Sequence, residues 1–175
     1  MTDHAVLIPA AVVAKDVDAY VRPAISASAV DNGNVFTLSK SGVSDESFLA
    51  TFPTSASAVR CWMAGEPEMP FAVAGSNEYR GFGRIQDFYN SASKTFTAFK
   101  LNVGDIIQLS ADGLDSATAS TYAVPTNGTG KFTWATAAST GLTLRYLRTV
   151  TVPQPNASAI GAGRITMFEF DVYQV

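Results

Sequence analysis

The stretch most like a binding motif is residues 79–90, YRGFGRIQDFYN. Its RGFG opening matches the start of the octamer whose exposed aromatic residues stack on unpaired RNA bases in RNA-recognition domains. That octamer continues with aromatic residues where this chain has Arg84 and Asp87, and a carboxylate at a stacking position repels the phosphate backbone. Gly81 and Gly83 are instead typical of a tight loop whose aromatic neighbours pack on a sheet. The stretch therefore indicates a loop and not an RNA-binding strand.

The sequence contains residue types that catalyse reactions in other proteins, but they are not arranged in a recognisable catalytic motif. His4 is the only histidine, and we expect its segment to be mobile and solvated, which does not favour a Ser–His or Cys–His pair. Cys61 is the only cysteine, so an internal disulfide is impossible and a small buried hydrophobe is expected. Glu66 and Glu68 lie in the proline-rich stretch GEPEMP, and 15 acidic residues produce such pairs by chance. We expect no enzyme and no catalytic residues.

The acidic and glycine-bearing stretches do not predict a metal or phosphate site. Asp105, Asp112 and Asp115 lie around SADGLD, but they lack the ligand spacing of a calcium loop, and Asp-Gly is first a turn signal. The GAGR stretch at 161–164 precedes a strand instead of opening a helix, so it is not placed to cradle phosphate. We expect no metal site, no cofactor and no cofactor-binding residues.

Composition and charge restrict the classes of partner. Charged residues make up 15% of the 175 residues, against roughly 25% in an average soluble protein. A surface rich in small hydroxyl and methyl groups is common where other subunits cover it. The net charge is −3 and the 12 basic residues are scattered, so nucleic acid is not an expected partner. The chain lacks the charge pattern of a secretory signal and an apolar run of membrane-spanning length. We therefore expect synthesis in a reducing cytoplasm and no membrane partner.

Alternating apolar and polar residues predict an all-β fold, either a sandwich of jelly-roll type or a barrel. Residues 102–105 predict a short hairpin-like connection between two of the strands. Helical signals are few: DESFLATF at 45–52, capped by Ser44 or Asp45, predicts a turn or two, and 114–125 predicts a short helix or a loop. The expected strands are 35–38, 94–101, 104–110, 131–136, 142–152 and 164–175.

The sequence divides by character into residues 1–32 and residues 33–175. The first part has the apolar run AVLIPAAVVA together with Pro9 and Pro23, which discourage a central strand. It predicts either an edge strand or an arm laid on a neighbouring subunit, and an arm implies that deleting residues 1–30 leaves a folded domain. Residues 33–175 form the predicted β-sandwich or barrel domain. Its expected core residues are Phe36, Phe99, Ile107, Leu109, Trp134, Leu144, Phe168 and Phe170.

Read as one block, roughly residues 33–152 resemble the auxiliary virion proteins of tailed bacteriophages, commonly capsid decoration or cement proteins. The resemblance lies in the order of YRG, FTAFKLNVGDIIQLS and FTW, and in the following TAASTGLTLRYLRTVTVP. It implies a β-rich structural protein, made in the host cytoplasm, that binds the major capsid protein on the capsid exterior and stabilises the head. The symmetric sites of an icosahedral shell also imply a homo-oligomer, a trimer or otherwise a dimer.

Other function classes remain open at this point. A carbohydrate- or receptor-binding β-module of a head or tail fibre would use Trp62, Trp134 or tyrosines as stacking platforms. A hydrolase would use carboxylates such as Glu66 and Glu68. A tail-tube or head–tail connector subunit would share the β architecture and assemble into rings.

Overall fold

The computed structural model describes residues 4–15, 17–40, 46–58, 60–65, 86, 89–116, 118–153 and 164–175. Thirteen β-strands provide most of the regular structure of these residues, so the prediction of an all-β fold is confirmed. Short 3-10 segments occur between some of them, for example at Val13–Lys15 and Ala111–Gly113. In chain order the strands are β1 (Leu7–Ala11), β2 (Val21–Ile25), β3 (Val30–Asp31), β4 (Val35–Ser39), β5 (Phe48–Thr51), β6 (Trp62–Ala64), β7 (Tyr89–Asn90), β8 (Thr95–Lys100), β9 (Ile106–Ser110), β10 (Tyr122–Pro125), β11 (Phe132–Ala135), β12 (Thr143–Pro153) and β13 (Arg164–Gln174).

The strands form a six-stranded sheet, a closed five-stranded barrel and a small ribbon. The sheet has the order β1-β9-β13-β12-β10-β11, and its neighbouring strands are antiparallel. The barrel has the order β2-β5-β4-β6-β8 and closes where β2 pairs with β8. Strands β2 and β5 pair in parallel, whereas the other barrel pairs are antiparallel. The ribbon consists of β3 and β7.

The barrel interior is filled by two aromatic rings and several small residues. Phe36 and Phe96 meet edge to face, with their ring centroids 5.4 Å apart. Because five strands enclose a narrow space, large side chains fit only where the facing positions are small. The small residues of this cluster are Ala24, Ala50, Ala64 and Ala98.

Three barrel strands also bury their outer faces. Val35 of β4, Met63 of β6 and Phe99 of β8 belong to a cluster that includes sheet residues. Val35 and Phe36 are consecutive, so one lies against the sheet and the other inside the barrel, as strand alternation requires. The sheet side of this cluster includes Ile107, Leu109, Leu144, Phe168 and Phe170. The barrel and the sheet therefore share one hydrophobic core.

Seven of the eight residues predicted for the core are buried, and Trp134 is half-buried. Trp134 packs against the shared core, and its indole Nε1 donates a hydrogen bond to the Ser116 carbonyl oxygen at 2.8 Å. A tryptophan commonly takes such a boundary position because its ring is apolar and its N–H needs an acceptor.

The prediction of helical turns over residues 45–52 is wrong, because Phe48–Thr51 is strand β5. This segment pairs with both β4 and β2, and barrel closure outweighs its weak local preference for a helix. The proposed capping residues Ser44 and Asp45 lie outside the described residues.

Two further connections differ from expectation. Residues 102–105 do not close a hairpin, because they lead from β8 in the barrel to β9 in the sheet and these strands do not pair. Within residues 114–125, the expected helix or loop is a loop followed by β10. Strands β8 and β9 pair with strands that are distant in sequence, which local turn signals do not specify, whereas β10 pairs with the next strand, β11.

The described N-terminal strands lie inside the fold. Strand β1 pairs with β9 at one edge of the sheet, with a register shift between Pro9 and Ala11, and an edge is where a proline is tolerated. Strand β2 contains Pro23 and pairs with β8 and β5 in the barrel. Ala5, Val6 and Leu7 are buried. In the described part of the chain, β1 is thus an edge strand of the sheet and β2 is a strand of the barrel.

A chain that lacks residues 1–25 is expected not to fold, because it loses the strand that closes the barrel and one edge of the sheet. Circular dichroism and a thermal melt should show loss of the β signal and no cooperative transition. A truncated chain with native strand content and a cooperative melt would restore the arm hypothesis.

A buried turn at residues 31–34 connects ribbon strand β3 to barrel strand β4 and packs against the sheet. Gly33 has a φ of 93°, and its amide donates to the Ala64 carbonyl oxygen at 2.9 Å. A Cβ placed on Gly33 would lie 2.7 Å from Leu109 Cδ2 and 3.2 Å from Leu7 Cβ. Glycine is therefore required here both by the backbone conformation and by the approach of the sheet residues.

The two requirements on Gly33 can be separated experimentally, because Gly104 has the same φ of 93° with no atom within 4 Å of an added Cβ. Gly104→Ala measures the backbone strain alone, about 1–3 kcal/mol. Gly33→Ala should lower the free energy of unfolding by a further amount of about 1–3 kcal/mol, the usual cost of overpacking. Urea denaturation of both variants measures the difference, and equal losses would contradict close packing at Gly33.

Candidate functional site

The outer face of the six-stranded sheet, on the side away from the barrel, carries a continuous row of polar and aromatic side chains. We call this row the polar strip. It crosses strands β9, β13, β12 and β10, which are neighbours in the sheet. The polar strip consists of Gln108, Glu169, Arg148, Asp171, Arg145, Tyr173 and Tyr122.

A β-bulge at Leu147 places both arginines of the polar strip on the same face. Arg145 pairs with Asp171 in the β12–β13 register, and Arg148 pairs with Glu169 after a shift between Tyr146 and Arg148. Regular alternation would put residues 145 and 148 on opposite faces, because they are separated by an odd number of positions. The extra residue of the bulge restores Arg148 to the outer face, where it reaches Glu169.

Glu169 is the most enclosed carboxylate of the polar strip, with 7% of its surface exposed. Arg148 Nε donates to Glu169 Oε1 at 2.7 Å, and Gln108 Nε2 donates to Oε2 at 2.8 Å. The hydrogen bond from Arg148, followed by that from Gln108, lowers the pKa of Glu169 below its ordinary value. These hydrogen bonds therefore favour the ionised form of Glu169.

The second ion pair of the polar strip, Arg145–Asp171, lies beside two tyrosine side chains. Arg145 donates from Nε to Asp171 Oδ1 at 3.1 Å and from Nη2 to Oδ2 at 2.5 Å. Its guanidinium carbon also lies 5.5 Å from the ring centroid of Tyr173. The rings of Tyr173 and Tyr122 are 5.6 Å apart, and Tyr173 is 44% exposed. The pair thus presents aromatic surface next to charges that are already matched.

The arrangement of the polar strip suits binding better than catalysis. Both carboxylates are held by arginines in forked geometry, which fixes the side chains and matches the charges. The groups of the polar strip that remain available to a ligand are the two tyrosine rings and the guanidinium N–H groups that the ion pairs do not use. The alternation of 164–175 and 142–152 puts Glu169, Asp171, Tyr173 and Arg145 on the face opposite the core residues Phe168, Phe170 and Leu144. It gave no signal for Arg148, because the bulge is not visible in the pattern.

His4 is anchored, in contrast to the expectation of a mobile segment. Its Nδ1 lies 2.7 Å from Asp31 Oδ1, and its ring stacks on Tyr89 with centroids 4.4 Å apart. The amide of Ala5 donates to the other oxygen of Asp31 at 3.2 Å. A histidine and an aspartate are therefore paired, but they hold the start of the chain to the β3–β7 ribbon.

Each of the three candidate aspartates accepts hydrogen bonds from different residues, and the three side chains do not form a common site. Asp105 is buried and accepts from the amides of Asn102, at 2.8 Å, and Val13, at 3.1 Å. Asp112 accepts from Gln86, and Asp115 accepts from the hydroxyl of Thr133. Among the described residues, no group of three or more His, Cys, Asp or Glu side chains is placed to hold a metal ion.

Neither tryptophan forms a bare stacking platform. Trp62 is half-buried and packs against the barrel cluster. Trp134 makes edge-to-face contacts with Tyr146 and Phe168, with centroids 5.7 and 5.4 Å apart. The exposed aromatic surface of the described face is instead that of Tyr173, which no sequence pattern distinguishes from the other tyrosines.

Several sequence candidates lie outside the described residues: Glu66, Glu68, the RGFG motif at 80–83, Arg84, Asp87 and residues 161–163 of GAGR. Within the described part of the chain, no helix is both long and apolar enough to cross a membrane.

Neither a protein-family model nor a curated protein nor a solved structure matches this chain.

Cys61 is expected to be chemically inert in the folded protein. It is buried, its Sγ lies 3.5 Å from the Ala58 carbonyl oxygen, and burial raises the pKa of its thiol to about 11. The thiol is therefore protonated at neutral pH, and the thiolate is the form that reacts. Ellman's reagent at pH 8 should label Cys61 only at the rate of unfolding. Fast labelling of the native protein, compared with the same chain in denaturant, would contradict this assignment.

Proposed function

We propose that this chain is a non-enzymatic structural protein of a tailed-phage virion, a decoration protein that binds the outside of the major capsid protein lattice. The single observation that carries the proposal is the polar strip on the outer face of the sheet. Its charges are already paired within the chain, at Arg148–Glu169 and Arg145–Asp171. A surface with matched charges costs less to desolvate than one with free charges, so it suits permanent cover by a protein partner.

Residues of chemically reactive types have structural roles in this fold, which supports a function without catalysis. His4 and Asp31 hold the chain start, Cys61 is buried, and Asp105 stabilises a turn. The low charge content supports a surface that other subunits cover, as does the resemblance of residues 33–152 to auxiliary virion proteins.

Binding to an assembled lattice stabilises it by mass action. A ligand that binds the assembled shell and not its free subunits adds stability in proportion to the logarithm of its occupancy. A homo-oligomer, a trimer or otherwise a dimer, would contact several capsid subunits at once and gain avidity. The protein would then act at the capsid exterior, with the major capsid protein as its partner.

A second candidate function is recognition of a carbohydrate receptor, and one observation favours it. Tyr173 is exposed and lies beside Tyr122, Arg145 and Asp171. An amphipathic ring next to fixed polar groups is a common element of ligand sites. Binding of the purified protein to a glycan array, lost in Tyr173→Ala, would favour this function over decoration.

The decoration proposal predicts co-sedimentation with capsid shells. The major capsid protein of the same phage would be assembled into shells and centrifuged with the purified chain. The wild type should appear in the pellet at a fixed ratio to the shell, and Tyr173→Lys should bind at least tenfold more weakly, because it adds an unpaired charge to the covered face. Thr51→Lys, on the exposed side of barrel strand β5, adds the same charge elsewhere and should bind normally. A wild type that stays in the supernatant would contradict the proposal.

A further inference from the structure

Strand β12 has a long edge that pairs with no described strand. On one side it pairs with β13 along its whole length, from Thr143 to Pro153. On the other side β10 pairs with it only at Leu144 and Arg145, and the last backbone bond to the residues before β10 is from the Tyr146 amide to the Thr121 carbonyl oxygen. Beyond the bulge at Leu147, the second edge of β12 is open among the described residues.

Between Arg148 and Pro153, the open edge lacks the protection that free strand edges usually have. Natural sheets protect their edges with charges, prolines, bulges or very short strands. Strand β1, the edge at the far side of the sheet, has Pro9 and a register shift beside it. The open edge of β12 reads RTVTV between the bulge and Pro153, and its residues 149–152 carry no charge. Threonine and valine are among the residues that favour strand pairing.

We propose that two copies of this chain pair antiparallel through this edge, around a two-fold axis at Val150. Leu147 and Pro153 lie at equal distances from Val150 in the sequence, so the bulge of one copy would meet the proline of the other. The uncharged segment would then be paired over its whole length. The six-stranded sheet would continue across the axis into the sheet of the second copy.

The pairing places no like charges opposite each other and pairs Val150 with its own copy. With Val150 on the axis, Thr149 lies opposite Thr151 of the second copy. Arg148 lies opposite Val152 of the second copy, so no like charges meet. A residue and its partner across an antiparallel pair share a face, so Val150 meets Val150 of the second copy and lies diagonal to its Val152.

The apolar side of the pairing continues a cluster that already exists in the chain. Val150 and Val152 are half-buried and pack against the buried residues Val6, Ile165 and Met167 on the outer face. The equivalent valines of a second copy would extend this cluster and cover the remaining surface of Val150. A second copy therefore fits the edge in sequence pattern, in charge and in apolar contact.

This inference selects the dimer from the two oligomeric states expected above, and it does not rest on the decoration role. Its test uses the purified chain alone. A chain that dimerises but does not bind shells would refute only the decoration proposal, and a monomer that binds shells would refute only the dimer.

The first experiment places a lysine on the open edge. Sedimentation equilibrium of the wild type should give a dimer. Thr151→Lys should raise the dimer dissociation constant at least tenfold. Thr166→Lys is the matched control, because Thr166 is the exposed cross-strand partner of Thr151 on β13 and lies on the strand away from the pairing edge. It should dimerise as the wild type does. A monomeric wild type, an unaffected Thr151→Lys, or equal weakening by both lysines would overturn the proposal.

The second experiment tests the register and does not depend on how well the lysine variants fold. In a Cys61→Ala background, Val150→Cys should form an intermolecular disulfide under mild oxidation. Directly opposed Cα atoms of an antiparallel pair are about 4.5–5.5 Å apart, within the range of about 4.4–6.8 Å that a disulfide needs. Thr166→Cys in the same background should remain unlinked. Failure of Val150→Cys to form the dimer, or equal linking by Thr166→Cys, would overturn the assigned axis.

Discussion

The fold depends on the requirement that three barrel strands bury both of their faces. Phe36 and Phe96 need the closed barrel, whereas Val35, Met63 and Phe99 need the sheet. Neither the barrel nor the sheet alone can bury both faces of these strands. An exposed apolar face would forgo the hydrophobic free energy that offsets the conformational entropy lost on folding. The tight turn at Gly33 packs against Leu7 and Leu109 of the sheet. The connection at 102–105, where Asp105 accepts a hydrogen bond from the Asn102 amide, carries the chain from the barrel to the sheet. The two layers are therefore best regarded as one cooperative structure.

A single inserted residue organises the opposite side of the sheet. The bulge at Leu147 ends the pairing of β12 with β10, and it moves every later residue of β12 to the other face. Arg148 thereby meets Glu169 across the strands. Val150 and Val152 meet Met167 and Ile165 in the outer cluster. The Arg148–Glu169 pair of the polar strip, the outer cluster and the open edge thus all depend on this bulge, in agreement with the tendency of bulges to occur where a sheet ends its pairing or redirects a side chain.

The sequence predicted the fold class and most strands because alternation in stretches such as 94–101 and 164–175 is a local property. It also predicted the core well, since Phe168 and Phe170 lie on the inner face of one alternating strand. It failed at Phe48–Thr51, where pairing with two distant strands decides the conformation. It also gave no sign of the anchored His4, whose partners Asp31 and Tyr89 come from the β3–β7 ribbon. Of the polar strip, the outward residues of β13 were predictable, but their arginine partners depend on register and on a bulge that has no sequence signature.

The position of β13 has a consequence for how the chain reaches its folded state. This strand follows every other strand in the sequence, yet it lies in the interior of the sheet between β9 and β12. During synthesis, β1 and β9 can pair with each other, and so can β10, β11 and β12, but the two groups have no strand to join them until β13 has been made. Until β13 has been made, the apolar faces of both groups are exposed to solvent, and exposed apolar surfaces favour aggregation. Folding that is dominated by distant pairings is also slow. The molecule therefore assembles its sheet late, around the strand it makes last among those described.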